Sequence, residues 1–430
     1  MAEDKAEFGW SRALKYACVI FVFFVGFGLL ILNTVVIDHS KPVVQQHSWA
    51  QEEARSRKKA SVNASLLTKS KLLENAQGWR RCELLMNGKL NVSRNSKLES
   101  SQTDEDILRK YMRRTCYRVR NRDFAYPAPT KMERDFPLAF GIMIYNGLPL
   151  FERLLQEIYM PHNVYCIHID RKTRQSFHKA VKQMISCLPN VFIASKLVKV
   201  YWGEFSIVQA KMNCLRNLLK SPVKWKYYLH MIGQDFPLYT NHEMVRAIKT
   251  LNYTNNMESI KVPISNRDRT EYVYIGSRTR TKILKPPPPF NITLRKGNIH
   301  AMLTRGFVEF LLESEIANAF IDWCNDTSVP DETFFASMQN HPGAPGGVVG
   351  DQPPYIFKLI RWYWFDRCYG RIIRQVCWID IKDLRSVLSQ FNLSFLFVHK
   401  IPFDYDIELL DCLSQSLVGR KYPVELLKSY

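Results

Sequence analysis

The chain has 430 residues, 46% of them hydrophobic and 13% aromatic, and a formal net charge of +20. That is enough apolar material for a large core in one or two folded units. A basic balance can mark nucleic acid, an anionic membrane or an anionic substrate, but with no zinc-finger spacing, RNP pattern or basic helix, nucleic acid is excluded as the expected partner.

The first element is "YACVIFVFFVGFGLLILNTVVI", Tyr16–Ile37, uncharged and long enough to span a bilayer as one helix. Arg12 and Lys15 precede it, which places residues 1–15 in the cytosol. The run is too long for a typical signal-peptide core and no A-x-A cleavage pattern follows, so 16–37 reads as a signal anchor. The expectation is a single-pass type II membrane protein with its bulk in the secretory lumen. Residues 38–115 are polar, with charge runs such as "EEARSRKK", and read as a lumenal stem. Residues 116–430 are then the folded domain. N-x-S/T sequons at Asn63, Asn91, Asn252, Asn291, Asn325 and Asn392 agree with a lumenal site. So does cysteine usage. Apart from Cys18 in the apolar run, the cysteines are Cys82, Cys116, Cys166, Cys187, Cys214, Cys324, Cys368, Cys377 and Cys412. They are scattered, with no C-x-x-C pair, so disulfides are expected rather than zinc. Their number beyond the apolar run is odd, so at least one thiol stays free or pairs with another chain.

From Phe136 the texture changes. "PLAFGIMIY" is an apolar run ending at Tyr145, and "LPLFERLLQEIYM" follows with Leu148, Phe151, Leu154, Leu155 and Ile158 at helical spacing. "VYCIHID" is a second run, stopping at Asp170. A helical segment over Arg174–Ile185, a short run "NVFIA", and a helix over Phe205–Leu219 come next. "KYYLHMIGQDFP" predicts a fourth strand ending near Asp235. Alternating strand and helix implies an α/β fold with a parallel sheet and helices on its faces. Ligands of such sheets bind at the carboxyl ends of strands, making Tyr145, Asp170 and Asp235 candidates. "KPPPPF" (Lys285–Phe290) predicts a rigid connector, and "HPGAPGGVVGDQPP" (His341–Pro354) a mobile surface loop.

No P-loop, no G-x-G-x-x-G after the first strand and no G-x-S-x-G elbow is present, so nucleoside-triphosphatase, dehydrogenase and hydrolase chemistries lack their signatures. "VPDETFF" (Val329–Phe335) has two readings. Proline and acids suit the first turn of a helix, and on the heptad alone that is the simpler one. The sharper one is a carboxylate against aromatic walls, tuned by desolvation as a base. D-x-D occurs as "DED" (Asp104–Asp106) in the stem and "DYD" (Asp404–Asp406) near the C-terminus, and neither follows an early strand. The strand-end position carries "GQD" instead, with one acid. If a diphosphate leaves without metal, cationic side chains must neutralise it. Arg361, Arg367, Arg371, Arg374 and Lys400 lie among aromatics in the C-terminal region, though most of these are read as ordinary surface charge. An anchored lumenal α/β domain behind a stem is also the layout of Golgi glycosyltransferases.

"RLLQEIYMPHNVYCIHIDRK", "YYLHMIGQDFPL", "SVPDETFFASM" and "IRQVC" together resemble the core 2 / I-branching β-1,6-N-acetylglucosaminyltransferase family, from about Cys82 to the C-terminus. The resemblance implies a GT-A-like fold and inverting transfer of GlcNAc from UDP-GlcNAc to the 6-hydroxyl of galactose or GalNAc in O-glycans. No metal or other cofactor is implied. The partners implied are the donor, a glycoprotein acceptor and the Golgi membrane. It implies Glu332 as the catalytic base. Donor-contact segments match Met143, Ile144 and Tyr145, then Asp170, Arg171 and Lys172, with Trp202 at a further donor position and Arg374 and Lys400 on the diphosphate. Glu258, Arg269, Trp362 and Trp364 match acceptor-side positions, where aromatic rings can stack on a sugar's apolar face. The disulfides implied are Cys82 with Cys412, Cys116 with Cys187, Cys166 with Cys214 and Cys368 with Cys377. Cys324 is then the odd thiol, and a crosslink through it to a second chain is conceivable.

The match fails mainly on the acceptor side. A family lysine matches Asn266, with Arg267 beside it as a substitute. The family's "SGSAYFV" strand is replaced by "KGNIHAML" (Lys296–Leu303), which puts Asn298 and His300 where small or aromatic residues are expected. The segment between Trp364 and Cys368 is short. A second expectation is therefore kept, a catalytically weak Golgi paralogue that binds UDP-sugar or glycan and partners an active transferase.

Overall fold

The computed structural model describes residues 78–85, 89–90, 102–276, 279–351, 357–364, 367–389, 395–405 and 407–421. Among these no helix is long and apolar enough to cross a membrane. The apolar run Tyr16–Ile37 and most of the expected stem lie outside the described residues.

The main sheet has the order β3-β2-β1-β4-β11-β6. Its strands are β1 (Leu138–Ile144), β2 (Val164–Ile169), β3 (Val191–Ile193), β4 (Tyr227–Ile232), β6 (Asn256–Met257) and β11 (Ala301–Thr304), with β5 (Asp235–Pro237) elsewhere. β1 is parallel to both β2 and β4, and β2 to β3, as the strand–helix alternation requires. β11 runs antiparallel to β4 and β6, so the sheet is mixed. Helices Leu148–Ile158, Gln175–Ile185 and Phe205–Leu219 cross over between the parallel strands. β2 is buried along its whole length and β1 along nearly all of it, which is why both read as unbroken apolar runs rather than alternating ones.

Two expectations change at this level. The run "KYYLHMIGQDFP" is not one strand. β4 stops at Ile232, Gly233 donates its N–H to Met143 O at 2.9 Å, and the chain turns into β5. β5 joins a second sheet of order β12-β15-β5, with β12 at Lys358–Ile360 and β15 at Phe397–His399. Asp235 is registered there against His399. The Gly/Pro-rich stretch from His341 to Asp351 is pinned rather than loose. Gly346 O accepts from Asn255 N–H at 2.8 Å, Asn340 Oδ1 from Gly350 N–H at 2.8 Å, and Asp351 is paired with Arg295.

The boundary at 115/116 is also corrected. Helix Asp104–Met112 starts with a capping box, Thr103 and Asp106 each bonding the other's backbone N–H. It lays Ile107 and Tyr111 into the main core. Asp104 accepts from Arg174 at 3.0 Å and Ser176 at 3.2 Å, and Tyr111 bonds Glu152. Earlier still, Cys82 is joined to Cys412 in helix Ile407–Lys421. The packed body therefore begins before residue 116, because these segments carry apolar residues that only the core can cover. Ile107→Ala should lower unfolding free energy by about 2–5 kcal/mol, the usual cost of truncating a fully buried isoleucine. A denaturant midpoint equal to that of the parent chain would return this helix to the stem.

Candidate active site

Helix Pro330–Gln339 begins at Val329, whose φ of 51° is left-handed. For a β-branched residue that conformation costs about 1–3 kcal/mol and persists only where packing enforces it. The simple reading of "VPDETFF" as a helix start holds: Pro330 opens the helix and both acids lie in its first turn. The helix is nonetheless unusual, since Glu332 is its one residue that is not buried. Glu332 Oε2 accepts from Arg269 Nη1 at 2.7 Å, and among the described residues nothing bonds Oε1. Phe334 and Phe335 do not wall this carboxylate; they enter the core, Phe334 stacking on Phe320. The desolvated acid is its neighbour. Asp331 is buried with Oδ1 unpartnered, and burial, then the charge of Glu332, push its carboxyl up to about 7. Lys211 is the nearby counter-charge. It is fully buried, bonds Ile299 O at 3.2 Å and lies 3.7 Å from the Phe335 ring centre. Burial pulls its ammonium down to about 7, against the opposing pull of Asp331.

Glu258 lies on the same side. Its Oε2 accepts from Asn298 Nδ2 at 2.8 Å and Lys296 Nζ at 3.1 Å. Between those two residues Gly297 donates to Glu332 O at 2.7 Å, and a Cβ there would collide with Glu258 O and come within 2.9 Å of Ala336 Cβ. Only glycine lets the strand β10 (Arg295–Lys296) pass this close. Trp362 and Trp364 stack at 5.1 Å and 10°, and Trp364 is largely exposed, so the pair presents an aromatic face rather than a core contact.

Of the residues expected on the donor side, Met143 to Tyr145 and Asp170 to Lys172 lie at strand ends. Ile144 and Ile169 are register partners at the ends of β1 and β2, and Ile144 O accepts from Asp170 N–H at 2.9 Å. Of Met143, Ile144 and Tyr145, only Tyr145 exposes its side chain, edge-on to Phe403; Ile144 is core. Asp170 organises the next loop, accepting from Lys172 N–H at 2.9 Å and pairing with the Lys172 ammonium at 3.0 Å, while Arg171 is exposed. Arg374 and Gln375 form the tip of a hairpin between β13 (Arg371–Ile373) and β14 (Val376–Trp378). Both have positive φ, 51° and 68°, as a two-residue primed turn demands. Cys368–Cys377 anchors this hairpin, and Trp362 bridges to Val376. Arg374 lies over the exposed ring of Trp202 at 4.4 Å. Lys400 follows β15 and lies 4.8 Å from the Trp378 ring centre. Burial, then the charge of Arg374, lower its ammonium.

Backbone bonds join the two sides, the Trp362–Val376 bridge being one. Val329 N–H donates to Gly203 O at 2.9 Å, joining the start of the Glu332 helix to the loop that carries Trp202. Ser328 N–H reaches Arg269 O at 3.3 Å. Asn266 and exposed Arg267 sit in the turn before Arg269. Residues not foreseen are Lys211, Lys358, His230 and His399. Their signal was a lone polar residue inside an apolar run, as in "YYLHMI", "IFKLI" and "FLFVHK".

All four expected disulfides form. Cys324 is free but wholly buried, and burial pushes its thiol far up, so the conceivable crosslink through it is corrected: this fold does not present the sulfur. Asn252, Asn291 and Asn325 are exposed; Asn63, Asn91 and Asn392 lie outside the described residues. Among the described residues, the grouping with metal-ligand spacing is Cys368, Cys377 and Asp383, and its two sulfurs are already bonded to each other.

The site residues combine a carboxylate with one oxygen unbonded among the described residues and two cations over aromatic rings. A base with an anion-binding surface is what group transfer from an anionic donor requires. The sequence profile described as "Branch: Core-2/I-Branching enzyme" matches residues 138–387. A protein of bovine herpesvirus 4 (strain LVR140), named beta-1,3-galactosyl-O-glycosyl-glycoprotein beta-1,6-N-acetylglucosaminyltransferase, is 37% identical over 324 residues, 71% of this chain and 73% of its own length. Proteins of the same name numbered 3 are 37% identical in Homo sapiens, over 67% of this chain and 69% of that protein, and 38% in Ovis aries, over 67% and 69%. The chain belongs to the Core-2/I-Branching enzyme family and is a glycosyltransferase. Among solved structures, mouse xyloside xylosyltransferase 1 aligns over 49% of this chain and 83% of that one, at 12% identity and a TM-score of 0.28, too low to carry an argument.

Asp331 gives a pH prediction. Folded, it keeps its proton up to about 7, whereas its ordinary value is 3.8. Between those values the folded state binds more protons than the unfolded state, so this group's contribution falls as pH rises. Lys211, depressed from 10.5 to about 7, acts in the opposite sense above neutrality. Asp331→Asn should flatten the loss of stability between about pH 5 and 7, read as denaturant midpoints. An equal loss in variant and parent would mean that the buried carboxyl is not the cause.

Proposed function

We propose that this chain is an inverting β-1,6-N-acetylglucosaminyltransferase, moving GlcNAc from UDP-GlcNAc to the 6-hydroxyl of galactose or GalNAc in O-glycans, without metal. We place it in the Golgi lumen, as a GT-A-like domain behind a type II signal anchor. The observation that carries the reading is Glu332, the single open side chain of a buried helix, with Oε2 held by Arg269 and Oε1 left for a hydroxyl. The acceptor O6–H proton passes to Oε1 as O6 attacks the sugar's C1. The bond from C1 to the β-phosphate oxygen breaks, and UDP leaves with the electron pair. One displacement inverts the centre, so one base suffices. Arg374 and Lys400 are suited to neutralise the leaving diphosphate. The chemistry of the strand-end acid supports the metal-free form. Both oxygens of Asp235 are engaged, Oδ2 by Ile232 N–H at 2.7 Å and Lys358 at 2.6 Å, Oδ1 by His399 at 2.8 Å.

A second reading, a glycan- or UDP-sugar-binding paralogue, draws on Glu258. Its carboxylate is already held by Lys296 and Asn298, both in "KGNIHAML", the segment in which a departure on the acceptor side is expected. The full chain, with UDP-GlcNAc, EDTA and galactose-terminated acceptors including the core 1 disaccharide, should yield a product heavier by one GlcNAc. Glu332→Gln should lose about 10²–10⁴ in kcat, the usual worth of a general base. Product that needs a divalent ion, or survives intact in the variant, would sink the mechanism. No product on any acceptor with UDP still bound would select the second reading.

A further inference from the structure

Beneath the site lies a buried polar chain that the transfer mechanism does not use. It starts in the connection between β10 and β11 (Ala301–Thr304). Asn298, which holds Glu258 through its Nδ2, accepts from His300 N–H at 2.8 Å through its Oδ1. The His300 Nδ1 is 2.9 Å from Lys358 Nζ. An ammonium has only protons to give, so this ring nitrogen is the acceptor. Lys358 donates in turn to Asp235, and Asp235 accepts from His399. The His300 and His399 rings also lie against each other, centroids 4.8 Å apart. The residue after His399 is Lys400.

Every side chain from His300 to His399 along this path is buried. Burying a lysine, a carboxylate and two imidazoles is costly, and well-packed apolar residues would fill the same space at no loss of stability. What such a chain supplies is fixed geometry. Lys358 has three protons, and its partners are Asp235, His230 O at 2.8 Å and His300. Without His300 one N–H of a buried cation loses its acceptor, and Lys358, Asp235 and His399 can shift together.

We propose that His300 is a positioning residue that ties the Glu258 side of the site to Lys400 on the diphosphate side. The proposal rests on the reading of Lys400 as a diphosphate ligand. It gives a role to a residue in the segment where a departure on the acceptor side is expected, and predicts that an acceptor-side substitution alters donor binding.

The test is UDP binding to the full chain by calorimetry, with no acceptor and no turnover, on the parent, Lys400→Ala, His300→Leu and His300→Asn, each with its melting temperature. Lys400→Ala should weaken UDP about tenfold, as loss of one charged hydrogen bond does. His300→Leu fills the space but offers no acceptor, and should weaken UDP several-fold in a folded protein. His300→Asn restores an acceptor oxygen and should bind nearly as the parent. A role in packing alone gives the reverse order, with leucine better than asparagine. If Lys400→Ala weakens UDP while His300→Leu does not, the positioning role is overturned and the diphosphate reading stands. If Lys400→Ala binds as the parent, both fall. Should the leucine variant not fold, His300→Val, which offers no acceptor and is no larger than the ring it replaces, takes its place under the same criteria.

Discussion

One carboxylate holds the second sheet to the first. Asp235 has no exposure to water, and its oxygens accept from the Ile232 amide, the Lys358 ammonium and the His399 ring. Burial alone would raise its pKa, but Lys358 and then His399 outweigh that, and the group stays below its ordinary value. Removing one partner of such a buried pair typically costs about 3–5 kcal/mol, because the other charge is left uncompensated. These contacts tie the turn after β4 to β12 and β15. From β12 the chain runs into Arg361 and the Trp362–Trp364 pair, and from β15 into Lys400. The placement of cations and aromatics around the strand ends thus depends on an ion pair that no solvent reaches.

Part of the backbone strain falls at the site, the rest in the turns at Asn252–Tyr253 and Phe290–Asn291. Left-handed conformations at non-glycine residues include Val329, Arg374 and Gln375. Val329 aims the Glu332 helix, and the other two make the hairpin tip that sets Arg374 over Trp202. Strain of this kind persists only where surrounding contacts over-determine it. Here they do: Val329 is fixed by its bond to Gly203, and the tip by the Cys368–Cys377 link and by Tyr363 N–H on Gln375 O at 3.0 Å.

The parallel half of the main sheet was legible because its strands are buried on both faces and its helices carry an apolar stripe, both local patterns. Helix Phe205–Leu219 has the bounds its spacing predicts. What escaped was non-local. Gly233 and Gln234 are the one local break after Ile232, and the pairing of "DFP" with β15 decides the matter. The Gly/Pro-rich stretch reads as mobile until its amides and carbonyls find partners such as Asn255 and Asn340 far back in sequence. Helix Asp104–Met112 sits in a polar stretch, with only Ile107, Leu108 and Tyr111 to show a core-facing side. At the site, Glu332, Arg374 and Lys400 stood out through family resemblance. The roles of Asp331, Lys211 and Asp235 depend on burial, which a sequence does not display.

Lys296–His300 is the segment in which a departure on the acceptor side is expected. Lys296, Asn298 and His300 could have been scattered losses. They are instead bonded into one structure, with Lys296 and Asn298 on Glu258 and His300 on both Asn298 and Lys358. Gly297, in their midst, keeps the close approach to Glu258 and Glu332 that only a glycine permits. A buried polar residue without a partner costs stability. Here the polar residues of the connection between β10 and β11 have their partners, and Glu332 beside them keeps one oxygen unbonded among the described residues. The order of this segment is what a working site requires, since each partner fixes the carboxylates beside it.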